Sequence, residues 1–107
     1  LVFKAEDDFL ICLVSGDKRC SLNKLKKILN KKDVSMSNAD QVKENTGFSI
    51  GGVAPTGHLK KLNIIVDKSL SRFKYVYGAA GHPDCVFRIT YPELVRLTTG
   101  SEQEITE

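Results

Sequence analysis

Phe9-Leu10-Ile11-Cys12-Leu13-Val14 is the stretch on which the fold turns. It is apolar on both faces, without the alternation of a strand that has one face in water. It therefore reads as a central strand rather than an edge, and Gly16-Asp17 ends it. Upstream, Leu1 to Ala5 is a second β-prone run, and Glu6-Asp7-Asp8 between the two makes a hairpin pattern. Downstream, Ser21 is an N-cap, and Leu22, Leu25, Ile28 and Leu29 recur at helical spacing with lysines on the opposite face. A short extended piece is expected around Val34 to Met36. Asn38 and Gln41 form a capping box for a short helix with Ala39 and Val42 as its apolar positions, and Gly47 stops it.

Further along, Leu62 to Val66 reads as a strand closed by Asp67, and Ser69 to Phe73 as one helical turn. Tyr75 to Ala79 and Cys85 to Ile89 read as two strands joined by Ala80-Gly81-His82-Pro83-Asp84. Thr90 with Glu93 is a second capping box, with Pro92 in the first turn, where proline is tolerated. Leu94, Val95 and Leu97 are the apolar positions of that helix, and Gly100 is its expected stop. The tail, Ser101 to Glu107, is polar apart from Ile105 and suits a short edge strand. The order β-β-α-(β)-α-loop-β-β-β-α has no regular βαβ alternation. It argues against a Rossmann-like sheet and for a mixed α/β fold, either a mixed sheet or a partly closed barrel, with helices outside.

The 107 residues suffice for one domain, spanning 1–107, and not for two. An apolar fraction of 41% and a charged fraction of 27% are ordinary for a globular chain. The net charge of +3 is too mild to mark a nucleic-acid binder by itself. The positive charge gathers in the run from Lys18 to Lys32 and at Lys60, Lys61, Lys68, Arg72 and Lys74. Such clusters suit a polyanion and suit solvated helix faces equally. Cys12, Cys20 and Cys85 lie far apart without a Cys-x-x-Cys pair, so neither a zinc knuckle nor a redox pair is indicated. Cys12 and Cys85 stand in apolar runs and are expected as small core residues. This usage fits a reducing compartment, and a cytoplasmic location is expected. No apolar run approaches the roughly 20 residues of a membrane span. Because Leu1-Val2-Phe3 opens directly in a strand-like run, the domain is expected to lack an N-terminal segment of a longer protein.

Gly51-Gly52-Val53-Ala54-Pro55-Thr56-Gly57-His58 is the segment best suited to chemistry. Glycine lets a ligand approach the main chain and proline fixes part of the path. Such a loop can offer N–H and C=O groups to a substrate, and it can equally be a tight turn. It lacks the Gly-Lys-Ser/Thr ending of a phosphate-binding loop. His58 and His82 each follow a glycine in a loop between strands. With Asp67 or Asp84 they offer metal-ligand atom types, but no pair has helical ligand spacing, and no metal is expected. No serine sits in a Gly-x-Ser-x-Gly elbow, and the cysteines lack a convincing partner. A hydrolase built on these residues would use water held by backbone groups rather than a covalent intermediate.

Taken together, these features are similar to the YbaK/EbsC family, free-standing relatives of the editing domain inserted in bacterial prolyl-tRNA synthetase. The matching stretches begin with Leu1-Val2-Phe3-Lys4-Ala5, Asn38-Ala39-Asp40-Gln41-Val42 and Thr46-Gly47-Phe48. They continue with the loop Gly51 to His58, the strand end Val66-Asp67, and Tyr77-Gly78-Ala79-Ala80-Gly81-His82. The resemblance implies a compact mixed α/β domain that hydrolyses, in trans, the ester joining a wrong amino acid to tRNA. The amino acid would be small, such as cysteine or alanine, with proline tRNA as one carrier. It gives Gly51 and Pro55 the role of the family's Gly-x-x-x-Pro loop, which contacts substrate through its backbone and helps position the water. His82 joins them as a catalytic candidate. Gly52, Val53, Ala54, Thr56, Gly57, His58 and Gly81 are substrate-binding candidates. The family's functional lysine falls about two residues ahead of Leu1, and Lys4, inside the strand, does not take its place. Mischarged tRNA and an aminoacyl-tRNA synthetase are the implied partners. No cofactor and no membrane are expected, and the oligomeric state stays open. The alternatives are a non-catalytic module of the same fold that binds tRNA or a synthetase, and an enzyme for a small non-tRNA ester.

Overall fold

The computed structural model describes residues 1–107. Strands β1 (Val2–Ala5) and β2 (Asp8–Leu13) form the expected hairpin, with Phe3 opposite Leu10. Helix α1 (Leu22–Leu29) follows, then β3 (Val34–Met36), α2 (Ala39–Thr46) and β4 (Asn63–Asp67). A 3₁₀ turn (Lys68–Arg72) leads to the hairpin β5 (Val76–Ala79) and β6 (Val86–Ile89), and α3 (Tyr91–Thr98) and β7 (Ser101–Gln103) close the chain. The main sheet has the order β3-β1-β2-β4-β7, antiparallel from β3 to β2 and parallel from β2 to β7. It is an open mixed sheet, so of the two forms expected the barrel is not the one adopted. The β5–β6 hairpin forms a separate two-stranded sheet.

The double-sided apolar character of β2 has its cause in this arrangement. Leu10 and Cys12 point to one face, where they pack with Phe3, Leu25 of α1, Ile65 and Ile105 of the tail. Ile11 points to the other, against Val2 and Val42 of α2. On that same face Val66, the residue after Ile65, meets Leu70, Tyr91 and Leu94. Helices thus cover both faces, and each fully buried Leu or Ile side chain contributes roughly 1.5–3 kcal/mol.

The caps hold these helices where the sequence places them. Ser21 accepts the Lys24 N–H at 3.2 Å. Asn38 and Gln41 close a reciprocal box, with both bonds at 2.9 Å. At α3 the Thr90 hydroxyl donates to the Glu93 carboxylate at 2.7 Å. Two expectations fail. Gly100 does not stop α3: Thr99 takes the left-handed turn, at φ 50°. Gly100 is needed one residue later, where an added Cβ would lie 2.7 Å from Val66 Cγ2. Cys85 is exposed rather than in the core, because it lies in the turn before β6 and not within the packed sheet, whereas Cys12 is fully buried.

Asp67, at the end of β4, is fully buried and serves the fold. It accepts from the Ile105 N–H at 2.9 Å, from the N–H and hydroxyl of Ser69, and from the Thr106 hydroxyl at 3.4 Å. Burial works to raise its pKa, but these donors together hold it below the usual aspartate value. Its oxygens fasten the tail to the sheet. The basic run from Lys18 to Lys32 is partly structural as well: Lys24 reaches the Thr106 carbonyl at 2.6 Å, and Lys31 pairs with Asp8 at 3.4 Å. No helix is long and apolar enough to cross a membrane.

Candidate active site

The end of α2 builds the base of the glycine-rich loop. Gly47 caps the helix in a left-handed turn. The buried Thr46 hydroxyl donates to the Val42 carbonyl at 2.7 Å and accepts the Phe48 N–H at 3.0 Å. The Leu59 N–H returns to the Thr46 carbonyl at 3.1 Å, and the Lys60 N–H to that of Asn45 at 3.3 Å. Both ends of segment 47–58 are therefore clasped at one point, as in a compact Ω-type loop. Inside it, Gly51 has φ +85°, a region that costs other residues strain. The Gly52 N–H donates to the Ser49 carbonyl at 2.9 Å. Gly52 and Pro55 are buried, while Gly51, Thr56 and Gly57 are exposed. His58 Nε2 lies 2.7 Å from the Ala54 carbonyl, which can only accept, so that nitrogen carries the proton. The His58 ring stands edge-on to Phe48, with centroids 6.0 Å apart.

The second loop, between β5 and β6, meets the first. A Cβ on Gly52 would fall 2.9 Å from Pro83 Cδ and 3.1 Å from the His82 carbonyl carbon. A Cβ on Gly81 would stand 3.3 Å from the Phe48 ring. The His82 side chain is exposed; its Nδ1 accepts the Asp84 N–H at 3.1 Å, and the Asp84 carboxylate lies 3.9 Å away. The fold thus joins Gly52 with Gly81-His82-Pro83 and turns His58 inward. Thr56 stands outside this junction, without a hydrogen-bonded side chain.

Residues 1–97 match the family model described as the aminoacyl-tRNA editing domain. The chain belongs to that family. The editing domain is 35% identical over 79 residues to the proline–tRNA ligase of Thermosipho africanus; the match takes in 73% of this chain and 14% of the ligase. It is 34% identical over 95 residues to the uncharacterised Bacillus subtilis protein YwhH, covering 88% of this chain and 60% of that one. Among solved structures, one described as a candidate trans-editing enzyme for prolyl-tRNA synthetase superposes with a TM-score of 0.95 at 36% identity. That alignment covers all of this chain and 68% of the other. The open mixed sheet with flanking helices is thus the YbaK-like editing-domain architecture.

Two cavities flank the loop of this editing domain. The first, about 190 Å³, lies between the loop and the β5–β6 hairpin, with Val53, Pro55, Leu13, Tyr77 and Phe87 in its wall and no charged side chain. The second, about 250 Å³, includes Gly51, Val53, Met36 and Ser37, whose buried hydroxyl has no partner. Leu1, Val53 and Ala79 border both. Cys12 also borders the first, but burial foremost, with Cys20 beside it, pushes its thiol pKa up to about 12, and it is no nucleophile at neutral pH. The main-chain N–H groups of Gly51, Val53 and Ala54 have no acceptor within the protein. Such donors can polarise an ester carbonyl, and an apolar wall can hold a small side chain.

Sequence reasoning did not name Phe48 as a site residue, although its ring ties His58 to Gly81. It also did not name Leu13, Tyr77 or Phe87 as cavity walls. Phe48 carries a local signal, because it directly follows a capping glycine. The wall residues carry none, since an apolar strand residue looks the same whether it faces a core or a cavity.

Proposed function

We propose that this domain hydrolyses, in trans, the ester of a mischarged tRNA and releases a small amino acid such as cysteine or alanine, with proline tRNA as one carrier. The observation that carries the reading is a mostly apolar cavity of about 190 Å³ walled by Val53 and Pro55 of a loop in which the N–H groups of Gly51, Val53 and Ala54 are unspent. An apolar wall around so small a volume suits a small side chain. Water adds to the ester carbonyl carbon, the bond to the ribose oxygen breaks, and that oxygen takes a proton. Gly51 and Pro55 set the main chain that positions the water and the carbonyl. His82, in the loop that meets Gly52, supplies a polar contact to the substrate. Gly52, Val53, Ala54, Thr56, Gly57, His58 and Gly81 shape the substrate side. The 36% identical structure described as a candidate trans-editing enzyme for prolyl-tRNA synthetase supports action in trans.

The test is hydrolysis of tRNAs carrying cysteine, alanine, serine or proline by the full-length protein. Selective loss of the cysteinyl or alanyl species is the expected result. Bound tRNA without turnover of any species would replace the enzyme by a non-catalytic module that binds tRNA or a synthetase.

A further inference from the structure

The β5–β6 hairpin has two unlike faces. Its inner face packs Val76 and Ile89 against Val66, Tyr91 and Leu94. Period two and the register, Tyr77 opposite Arg88 and Ala79 opposite Val86, send Tyr75, Tyr77, Val86 and Arg88 to the outer face. Tyr77 is 67% exposed and Val86 70%, so both leave apolar surface open beyond the part of Tyr77 that borders the cavity. The cations beside them are organised. The Arg88 guanidinium lies 4.5 Å from the Tyr75 ring centre, and Lys74 Nζ lies 5.6 Å from the same ring. Arg72 stacks on Phe73 at 4.4 Å but is already paired with Asp17 at 2.5 Å. Neither Lys74 nor Arg88 enters an ion pair. Two unneutralised cations are thus held on one aromatic ring, beside a second ring that is open.

A groove of about 350 Å³ runs along this strip and includes Phe73, Tyr75 and Tyr77. It shares Val14, Leu70, Val76 and Tyr77 with the first cavity of the candidate site, so the two adjoin. Positive charge interleaved with aromatic rings is the chemistry that takes single-stranded nucleic acid. Phosphates meet the cations and an unstacked base lies on a ring. Inside a duplex the bases stay stacked on one another, so only a terminal pair offers a face, whereas each unpaired nucleotide can offer one to Tyr77. We infer that this strip seats the unpaired 3′-terminal nucleotides of an RNA, with a base on Tyr77 and phosphates at Arg88 and Lys74. It thereby leads the esterified end toward the cavity. The inference rests on the deacylase reading for the ester, but RNA binding by the strip can be tested without it.

The experiment titrates a labelled single-stranded RNA ending in an unesterified 3′ terminus, with a blunt RNA duplex as control, against the wild-type full-length protein and variants. Tyr77→Ala weakens single-strand binding by about tenfold, Tyr77→Phe restores it, and the duplex binds no better than to the variant. Arg88→Ala lowers the slope of log K against log salt by about 0.7, whereas Tyr77→Ala leaves that slope unchanged. With mischarged tRNA as substrate, Lys74→Ala and Arg88→Ala raise KM and keep kcat. Wild-type affinity in a Tyr77→Ala/Arg88→Ala variant overturns the inference, even if wild-type protein deacylates tRNA. So does a strip that proves to be a contact between two copies, shown by a dimer in solution that the double variant dissolves. Loss of single-strand binding in the variants, in a protein that deacylates nothing, supports the strip and removes the deacylase reading alone.

Discussion

The loop from Gly51 to His58 and the loop from Ala80 to Asp84 each set a histidine directly behind a glycine, yet His58 is turned into its own loop and His82 out of it. The difference lies in what each ring nitrogen finds. His58 meets a carbonyl, that of Ala54, and gives its proton to it at 2.7 Å. His82 meets an amide, that of Asp84, and accepts at Nδ1 from 3.1 Å, which leaves the proton of the neutral ring on Nε2, without a protein partner. One histidine is bonded within its loop, and the other keeps a donor open to solvent. Identical dipeptides in the sequence thus become one ring bonded inside its own loop and one ring open to solvent.

Joining the two loops through Gly52 is the feature whose loss has the largest expected effect. In Gly52→Ala the new Cβ meets Pro83 at 2.9 Å from Cδ and 3.0 Å from the main-chain nitrogen, and neither atom can swing away. The loops must part, at a cost of roughly 1–3 kcal/mol in thermal stability. A displacement of about 1 Å at the reacting centre lowers turnover of mischarged tRNA roughly 100-fold. Gly51→Ala sharpens the point, because its Cβ meets no protein atom within 4 Å and carries only the strain of φ +85°. Turnover falls there too if substrate occupies that space, with folding disturbed by about 1–2 kcal/mol. A Gly52→Ala protein with wild-type kcat/KM would show that the two loops do not act as one unit.

Most of what holds the elements was legible because it is local. Ser21 and the pair Asn38 and Gln41 lie within a few residues of the groups they cap, and the apolar run through Ile11 states its own burial. What brings the site together is not local. Nothing near Gly52 in the sequence announces Pro83, and nothing near Asp67 announces the Ile105 amide it holds. Cys85 shows the same limit from the other side: it adjoins the apolar Val86-Phe87, yet a turn residue of a hairpin faces water whatever follows it. Gly100 was misread for a related reason, since glycine after a helix suggests a backbone turn, and here the smallness of the residue is used against Val66. The loop itself was legible from Gly51 and Pro55. The cavity walls, Leu13 and Phe87 among them, were not.

The second break in the comparison is His58→Ala. It removes the bond to Ala54 and the edge contact with Phe48 at 6.0 Å, and so loosens the loop from within. A single hydrogen bond is worth about 1 kcal/mol net, so the domain stays folded. Amide exchange rises across segment 47–60 at the bonded N–H groups of Gly52, Leu59 and Lys60, and turnover falls about tenfold through misplacement. Unchanged exchange in that segment would deny His58 its positioning role.

His82→Ala is the smallest change and the most selective. The exposed ring supports no buried contact, so stability moves by no more than about 0.5 kcal/mol. A polar contact made to substrate by Nε2 is worth about 1 kcal/mol, which lowers kcat/KM roughly fivefold. His82→Asn tests the mechanism behind the number, because an amide can still donate a proton from a similar position. Partial rescue by asparagine and none by leucine would assign the effect to the donor. Equal activity of all three variants with the wild type would leave the second loop only its backbone role, the one Pro83 plays against Gly52. His82 and His58 would then differ in exposure alone.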